Sequence, residues 1–145
     1  IAHVHNLDTG LYGVLRGTAQ WATQPLYVAE QYAVGGPDSV RGFAQAELLG
    51  DNAYVLSAEL RWSPFHDDLD AFQVATFIDH GGVGLRRPLA GDLPTGSHLT
   101  GAGFGFRFGL QEHANLRLDV GFPIWPSRSR SGNNPAIYCG LQTRY

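Results

Sequence analysis

Several things are scarce in this 145-residue chain. Cysteine occurs once, at Cys139, which excludes an intrachain disulfide framework and a zinc site built from cysteines. Methionine is absent even at position 1, so the sequence reads as a mature product or as a piece of a longer chain. Charged residues make up 16% of the chain, with a net charge of −3 and no run of one sign. That excludes the basic stripe of a nucleic-acid partner. No apolar run reaches the roughly 18 residues of a membrane helix, and the start has no signal-peptide pattern. What is plentiful is glycine (19 residues) and aromatic side chains (12%). This composition suits an all-β fold, soluble or membrane-embedded, of one domain or part of one.

Alternation carries the fold. Apolar and polar residues switch with period two over Leu11–Trp21, Ala53–Trp62, Asp70–Asp79, Leu99–Leu110, Ala114–Pro123 and Ala136–Tyr145, the signature of strands with one greasy face. In the second segment Tyr54, Leu56, Ala58, Leu60 and Trp62 oppose Val55, Ser57, Glu59 and Arg61. In the fourth, a row of Ala102, Phe104, Phe106 and Phe108 opposes Gly101, Gly103, Gly105, Arg107 and Gly109. Ile1–Asp8 has no clear period and reads as the tail of a preceding strand. The six segments run about 10 to 12 residues, the length of a tilted strand crossing a bilayer and longer than the soluble norm.

Connections alternate in length: 22–52 long, 63–69 short, 80–98 long, 111–113 short, 124–135 long. Outer-membrane barrels require that asymmetry, with short periplasmic turns and long external loops. On this reading the greasy faces meet lipid. The opposite faces, carrying Arg16, Glu59, Arg61, Asp79, Arg107, Arg117, Asp119 and Arg144, line a water-filled lumen. Trp21, Trp62, Trp125 and Tyr145 stand at segment ends, where an interfacial aromatic girdle lies. An aromatic last residue, Tyr145, is a candidate C-terminal barrel signal. A soluble β-sandwich or lipocalin-type ligand-binding barrel is the competing reading. It predicts shorter strands and gives no reason for the loop asymmetry.

The long segment 22–52 holds Gly35-Gly36-Pro37-Asp38-Ser39-Val40-Arg41-Gly42-Phe43. Three glycines and a proline in nine residues exclude a helix or strand interior. An arginine between valine and phenylalanine suits a loop inserted into a cavity, where apolar side chains pack and the guanidinium finds a fixed acceptor; an ordinary Gly/Pro turn with a solvated arginine is the competing reading of the stretch taken alone. Other candidate chemistry is thin. His3-x-His5 lacks a carboxylate partner for a metal. Asp79-His80 with Ser39 has no nucleophile elbow behind it. Gly101–Phe106 lacks the strand–loop–helix context of a nucleotide site. The glycines there are expected to let a plug segment approach the wall. Ser127-Arg128-Ser129-Arg130 reads as a solvated loop. No catalytic residue, metal or cofactor is expected.

Gly35-Gly36 with Ser39-Val40-Arg41-Gly42-Phe43, then Gly50-Asp51, Glu59-Leu60-Arg61 and Phe77-Ile78-Asp79-His80-Gly81, resemble in order the C-terminal barrel of two-partner secretion transporters of the haemolysin-activator and filamentous-haemagglutinin type. The resemblance implies a bacterial outer-membrane pore, not an enzyme, that passes a secreted exoprotein. It also implies outer-membrane lipid and the barrel assembly machinery as partners and a periplasmic C-terminus. It implies that the loop folds back into the barrel as a gate, with Gly36, Val40, Arg41, Gly42 and Phe43 at its tip. Asp79 would accept Arg41, with Glu59 as a second acceptor. Phe77, Gly81, Gly50 and Asp51 are supporting motif positions. An outer-membrane assembly factor of the same superfamily is the alternative. Such barrels need roughly eight strands at the least, and open edges are not tolerated in lipid. The chain is therefore expected to be the C-terminal part of a transmembrane barrel, the last six strands, without its upstream strands or periplasmic (POTRA) domains.

Overall fold

The computed structural model describes residues 1–8, 10–65, 71–88, 96–110, 114–126 and 134–143. Seven strands form one antiparallel sheet: β1 (Ala2–Asp8), β2 (Leu11–Gln20), β5 (Asn52–Trp62), β6 (Phe72–Gly84), β7 (Ser97–Leu110), β8 (Ala114–Pro126) and β9 (Ala136–Thr143), in that spatial order. A separate ribbon of β3 (Tyr32–Val34) and β4 (Leu48–Gly50) lies within the long segment between β2 and β5. The sheet therefore holds one strand beyond the six alternating segments. Ala2–Asp8 pairs with β2, its register slipping at a bulge between Asn6 and Asp8.

The period-two rows become two chemically different faces. On one, Leu56 and Ile78 are 55% and 51% exposed, and Leu15, Leu60, Trp62, Phe104, Phe122, Ile124, Ile137 and Leu141 stand out beside them, uncovered by any other described residue. The opposite face carries the long loop. There Val34, Val40, Phe43 and Leu48 of the loop meet Ala53 and Val55 of β5, Val83 of β6 and Leu99 of β7 in a dry cluster. Burying side chains of this kind contributes about 1.5–3 kcal/mol each. The expectation of a wholly water-filled polar face needs correcting at this level. The inward positions nearest the long connections are apolar, and the loop covers them.

Two strands run further than alternation suggests. β6 continues from Asp79 through His80, Gly81 and Gly82 to Gly84, paired with Asn52–Tyr54 on one side and Ser97–Leu99 on the other. A loop over 80–98 is therefore too long a reading. These glycines mark close approach rather than a turn. A Cβ on Gly81 would stand 3.0 Å from Val34 Cγ1 and Val40 Cγ2, and one on Gly82 would stand 2.9 Å from the Tyr54 ring. β8 passes Pro123 by a bulge. Thr100 faces Trp125 and Gly101 faces Pro123, so Ile124 is the extra residue, a standard way for a strand to absorb a proline.

Glycine also lets the loop tip touch the sheet backbone. A Cβ on Gly101 would overlap the carbonyl oxygen of Arg41, and one on Gly121 would lie 2.5 Å from the Gly42 nitrogen. Gly42 itself, at φ 101°, presses on the Phe122–Pro123 peptide. Gly101 of the glycine row and Gly121 of β8 thus give the loop tip its bed, while a Cβ on Gly103 or Gly105 would meet other residues of the sheet. The short turn 111–113, the His66-Asp67-Asp68 cluster, Ser127–Arg130, Arg144 and Tyr145 lie outside the described residues, as does the side chain of Trp125.

Substituting Gly101→Val should lift the tip off β7 while the sheet persists. Amide exchange is expected to rise at Arg41 and Gly42 and to stay slow in the β5–β6 ladder.

Candidate functional site

The site grows from one turn. The Gly36 N–H donates to the Val40 carbonyl at 3.1 Å, and the Gly35 N–H donates to Ser39 Oγ at 2.8 Å. Gly35 and Gly36 take φ of 112° and 107°, a region that side chains disfavour. The closed turn aims Val40 and Phe43 into the apolar cluster and Arg41 along the sheet.

Arg41 is 2% exposed. Its Nε lies 2.6 Å from Asp79 Oδ2 and its Nη2 2.9 Å from Asp79 Oδ1, a bidentate fork, and its own backbone N–H donates to Oδ2 at 3.2 Å. Nη1 reaches Glu59 Oε2 at 2.8 Å and Asp119 Oδ2 at 3.5 Å. Nη2 also donates to Ser57 Oγ at 3.4 Å. The guanidinium carbon stands 3.4 Å over the centre of the Phe77 ring, close enough for a desolvated cation–π contact. The structure thus brings together Arg41, Asp79, Glu59 and Phe77.

A wider charge net surrounds this contact. Glu59 Oε1 accepts from Arg61 at 2.5 Å and from Arg107 at 3.2 Å. Asp119 accepts from Arg107 at 2.6 Å and from Arg117 at 2.5 Å. Arg117 in turn donates to the Pro37 carbonyl at 2.8 Å. Glu59 and Asp119 therefore have arginine partners within the sheet besides Arg41. Asp79 differs: among the described residues every hydrogen bond it accepts comes from Arg41. Its carboxylate is a dedicated receptor for the loop.

Sequence reasoning put Asp119 on the right face without assigning it to Arg41. The signal was its shared parity with Arg117, two residues away, and with Arg107 across the ladder. It also missed Tyr138. The Gly42 N–H donates to Tyr138 Oη at 3.0 Å, and the Tyr138 hydroxyl donates to the Phe43 carbonyl at 2.7 Å. Nothing local in β9 announces that contact. Other constellations do not assemble. Asp79 points to the loop and His80 to the opposite face, where it bonds Tyr54 and Thr100. Ser39 is engaged with Gly35. His3 and His5 meet edge to face with ring centroids 5.6 Å apart, and no group of three metal-ligating side chains gathers among the described residues.

Gly50 and Asp51 fasten the other end of the loop. A Cβ on Gly50 would stand 2.7 Å from Val83 Cβ. Asp51 Oδ2 accepts from the Arg86 N–H at 2.7 Å, and Oδ1 accepts from the Leu26 N–H at 2.9 Å and Gln31 Nε2 at 3.1 Å. Those backbone donors, Arg86 first and then Leu26, hold the Asp51 carboxyl below its ordinary value. A depressed carboxylate stabilises the folded form above the unfolded value of about 4 and loses that contribution as pH falls through its folded value. Arg86 also donates from Nε to the Ala22 carbonyl at 2.9 Å, so two long connections share one clasp. The amides of Leu26 and Arg86 should exchange slowly at neutral pH and faster below about pH 4. Asp51→Asn should give the faster exchange at pH 7 as well.

Comparison with known proteins places the fold and the family. Residues 14–108 match the model of the haemolysin secretion/activation protein family ShlB/FhaC/HecB. Two curated relatives, the outer membrane transporters CdiB of Escherichia coli O6:K15:H31 (strain 536 / UPEC) and of Escherichia coli, are each 45% identical over 47 residues, 32% of this chain. The aligned part is 8% of either relative's own length. The solved structure of CdiB from Acinetobacter baumannii superposes with a TM-score of 0.71 at 22% identity, over 99% of this chain and 26% of that one. That likeness establishes the fold. The seven-stranded sheet has the architecture of part of an outer-membrane β-barrel, left unclosed by this chain alone. With its sheet folded as part of such a barrel, the chain belongs to the haemolysin secretion/activation protein family ShlB/FhaC/HecB.

Proposed function

We propose that this chain is the C-terminal part of an outer-membrane pore through which a partner exoprotein leaves the cell unfolded, and that the 22–51 loop gates it. The observation that carries the reading is the buried fork of Arg41 on Asp79. A loop that merely decorates a barrel rim has no use for a carboxylate reserved to it. A loop that must hold one position and also leave it does.

The device has two parts of different character. The apolar cluster supplies most of the holding energy. The ion pair adds little net energy over an apolar contact of the same shape, but it penalises misplacement. A buried charge that has lost its partner costs about 3–5 kcal/mol. Leaving the site is cheap only when water or another cationic group reaches Asp79. A passing polypeptide that wets this level of the pore provides that opportunity. No bond is made or broken in the process. Energy for transport comes from folding of the cargo outside. The uncovered apolar rows face lipid, the long connections face outward, and the C-terminus is periplasmic. Periplasmic domains upstream receive the cargo, and the barrel assembly machinery inserts the whole protein. The relatives are named as transporters, which favours secretion over barrel assembly.

Two variants of the full-length transporter test this. Arg41→Ala should leave membrane insertion intact, read as heat-dependent gel migration, and should lower the amount of exoprotein in the medium. Wild-type secretion in that variant would refute the gate. Ile78→Arg places a charge on the uncovered face and should do the reverse. It should cost about 2–4 kcal/mol if that position lies near the bilayer midplane and reduce the folded band itself.

A further inference from the structure

We infer that Tyr138 is a second fastening of the loop tip, cooperative with the Arg41 contact, and that it couples the position of the loop to the order of strand β9. The inference rests on the gating reading above.

The tip crosses several strands. Arg41 is held by β5 and β6, its carbonyl lies on Gly101 of β7, and Gly42 presses on the Phe122–Pro123 peptide of β8. The last strand it meets is β9, and it meets it through one hydroxyl. Tyr138 uses both of its hydrogen-bonding capacities there, accepting from the Gly42 N–H at 3.0 Å and donating to the Phe43 carbonyl at 2.7 Å. Two adjacent peptide groups of the tip are satisfied by one phenol. Gly42 has left the local ladder at φ 101°, and Phe43 is fully buried, so these groups need a partner from elsewhere.

Tyr138 stands in β9, which pairs with β8 from Gly121↔Ala136 to Ala114↔Thr143, and its hydroxyl ties that strand to the loop tip. Coupling is reciprocal by thermodynamic necessity. If the docked tip steadies β9, a β9 that frays weakens the docking, and a tip that leaves frees β9. This differs from the Arg41–Asp79 contact, whose partners lie in the middle of the sheet.

The test uses the full-length transporter in planar lipid bilayers, with Arg41→Ala, Tyr138→Phe and the double variant compared. Tyr138→Phe keeps the ring and removes both hydrogen bonds. It should raise the ratio of open to closed pore on the order of tenfold. Added to Arg41→Ala it should change little, because a tip already released makes no use of the hydroxyl. Amide exchange in β9 should rise in Arg41→Ala, whose side chain hydrogen-bonds to β5, β6 and β8 and not to β9; a purely local packing role for Tyr138 does not produce that. A wild-type ratio in Tyr138→Phe, with an open pore in Arg41→Ala, overturns the second fastening and leaves the gate standing. A closed pore in both single variants overturns the gate and the fastening together. Should Tyr138→Phe fail to fold, the unmodified protein still decides. Gly42 and Arg41 amides exchanging in one common opening support the coupling, and a Gly42 amide that exchanges far faster than Arg41 refutes it.

Discussion

The structure depends on burying one guanidinium. Arg41 sits at the tip of a loop with almost no exposure, and a charge in that position is tolerated only where carboxylates surround it. Three are present, from three strands: Glu59 of β5, Asp79 of β6 and Asp119 of β8. Their spacing is fixed by ladder register, since Ser57 faces Asp79, Asp79 faces Gly101, and Gly105 faces Asp119. A slip of one residue would turn Asp79 to the opposite face. The loop's position and the sheet's register therefore specify one another.

The surrounding arginines explain how such a concentration of acid persists. Arg61, Arg107 and Arg117 neutralise Glu59 and Asp119 from within the sheet. Only Asp79 is left to the loop. The receptor is thus built and charge-balanced apart from one vacancy. The tip fills it with a group that is charged at any working pH and presents a rigid fork. Phe77 beneath the guanidinium completes the socket on the side where no hydrogen bond is available.

Affinity and placement come from different residues. Val34, Val40, Phe43 and Leu48 bury apolar surface that is indifferent to small displacements. The ion pairs, the Tyr138 hydroxyl and the glycine bed under Arg41 and Gly42 are sensitive to them. The clasp at Asp51 holds the base of the loop separately. The tip and the base of the loop are therefore held by separate sets of contacts.

Alternation alone determined which residues of each strand share a face, because side-chain direction in a strand is a local, period-two property. It placed Glu59, Asp79, Arg107, Arg117 and Asp119 on one side and the greasy rows on the other, as the sheet has them. The family resemblance implied Asp79 and Glu59 as acceptors for Arg41, whereas the composition of the loop taken alone fitted a solvated arginine at least as well. Tertiary structure alone decided the rest. Tyr138 lies 96 residues from Gly42, and Asp119 reaches Arg41 only through the register of β6, β7 and β8. The glycines at 81 and 82 read locally as a turn, yet continue β6 because Val34, Val40 and the Tyr54 ring occupy the space where side chains would stand. A strand's faces follow from its own residues, whereas the path of a loop across a sheet depends on contacts its neighbours in sequence do not make.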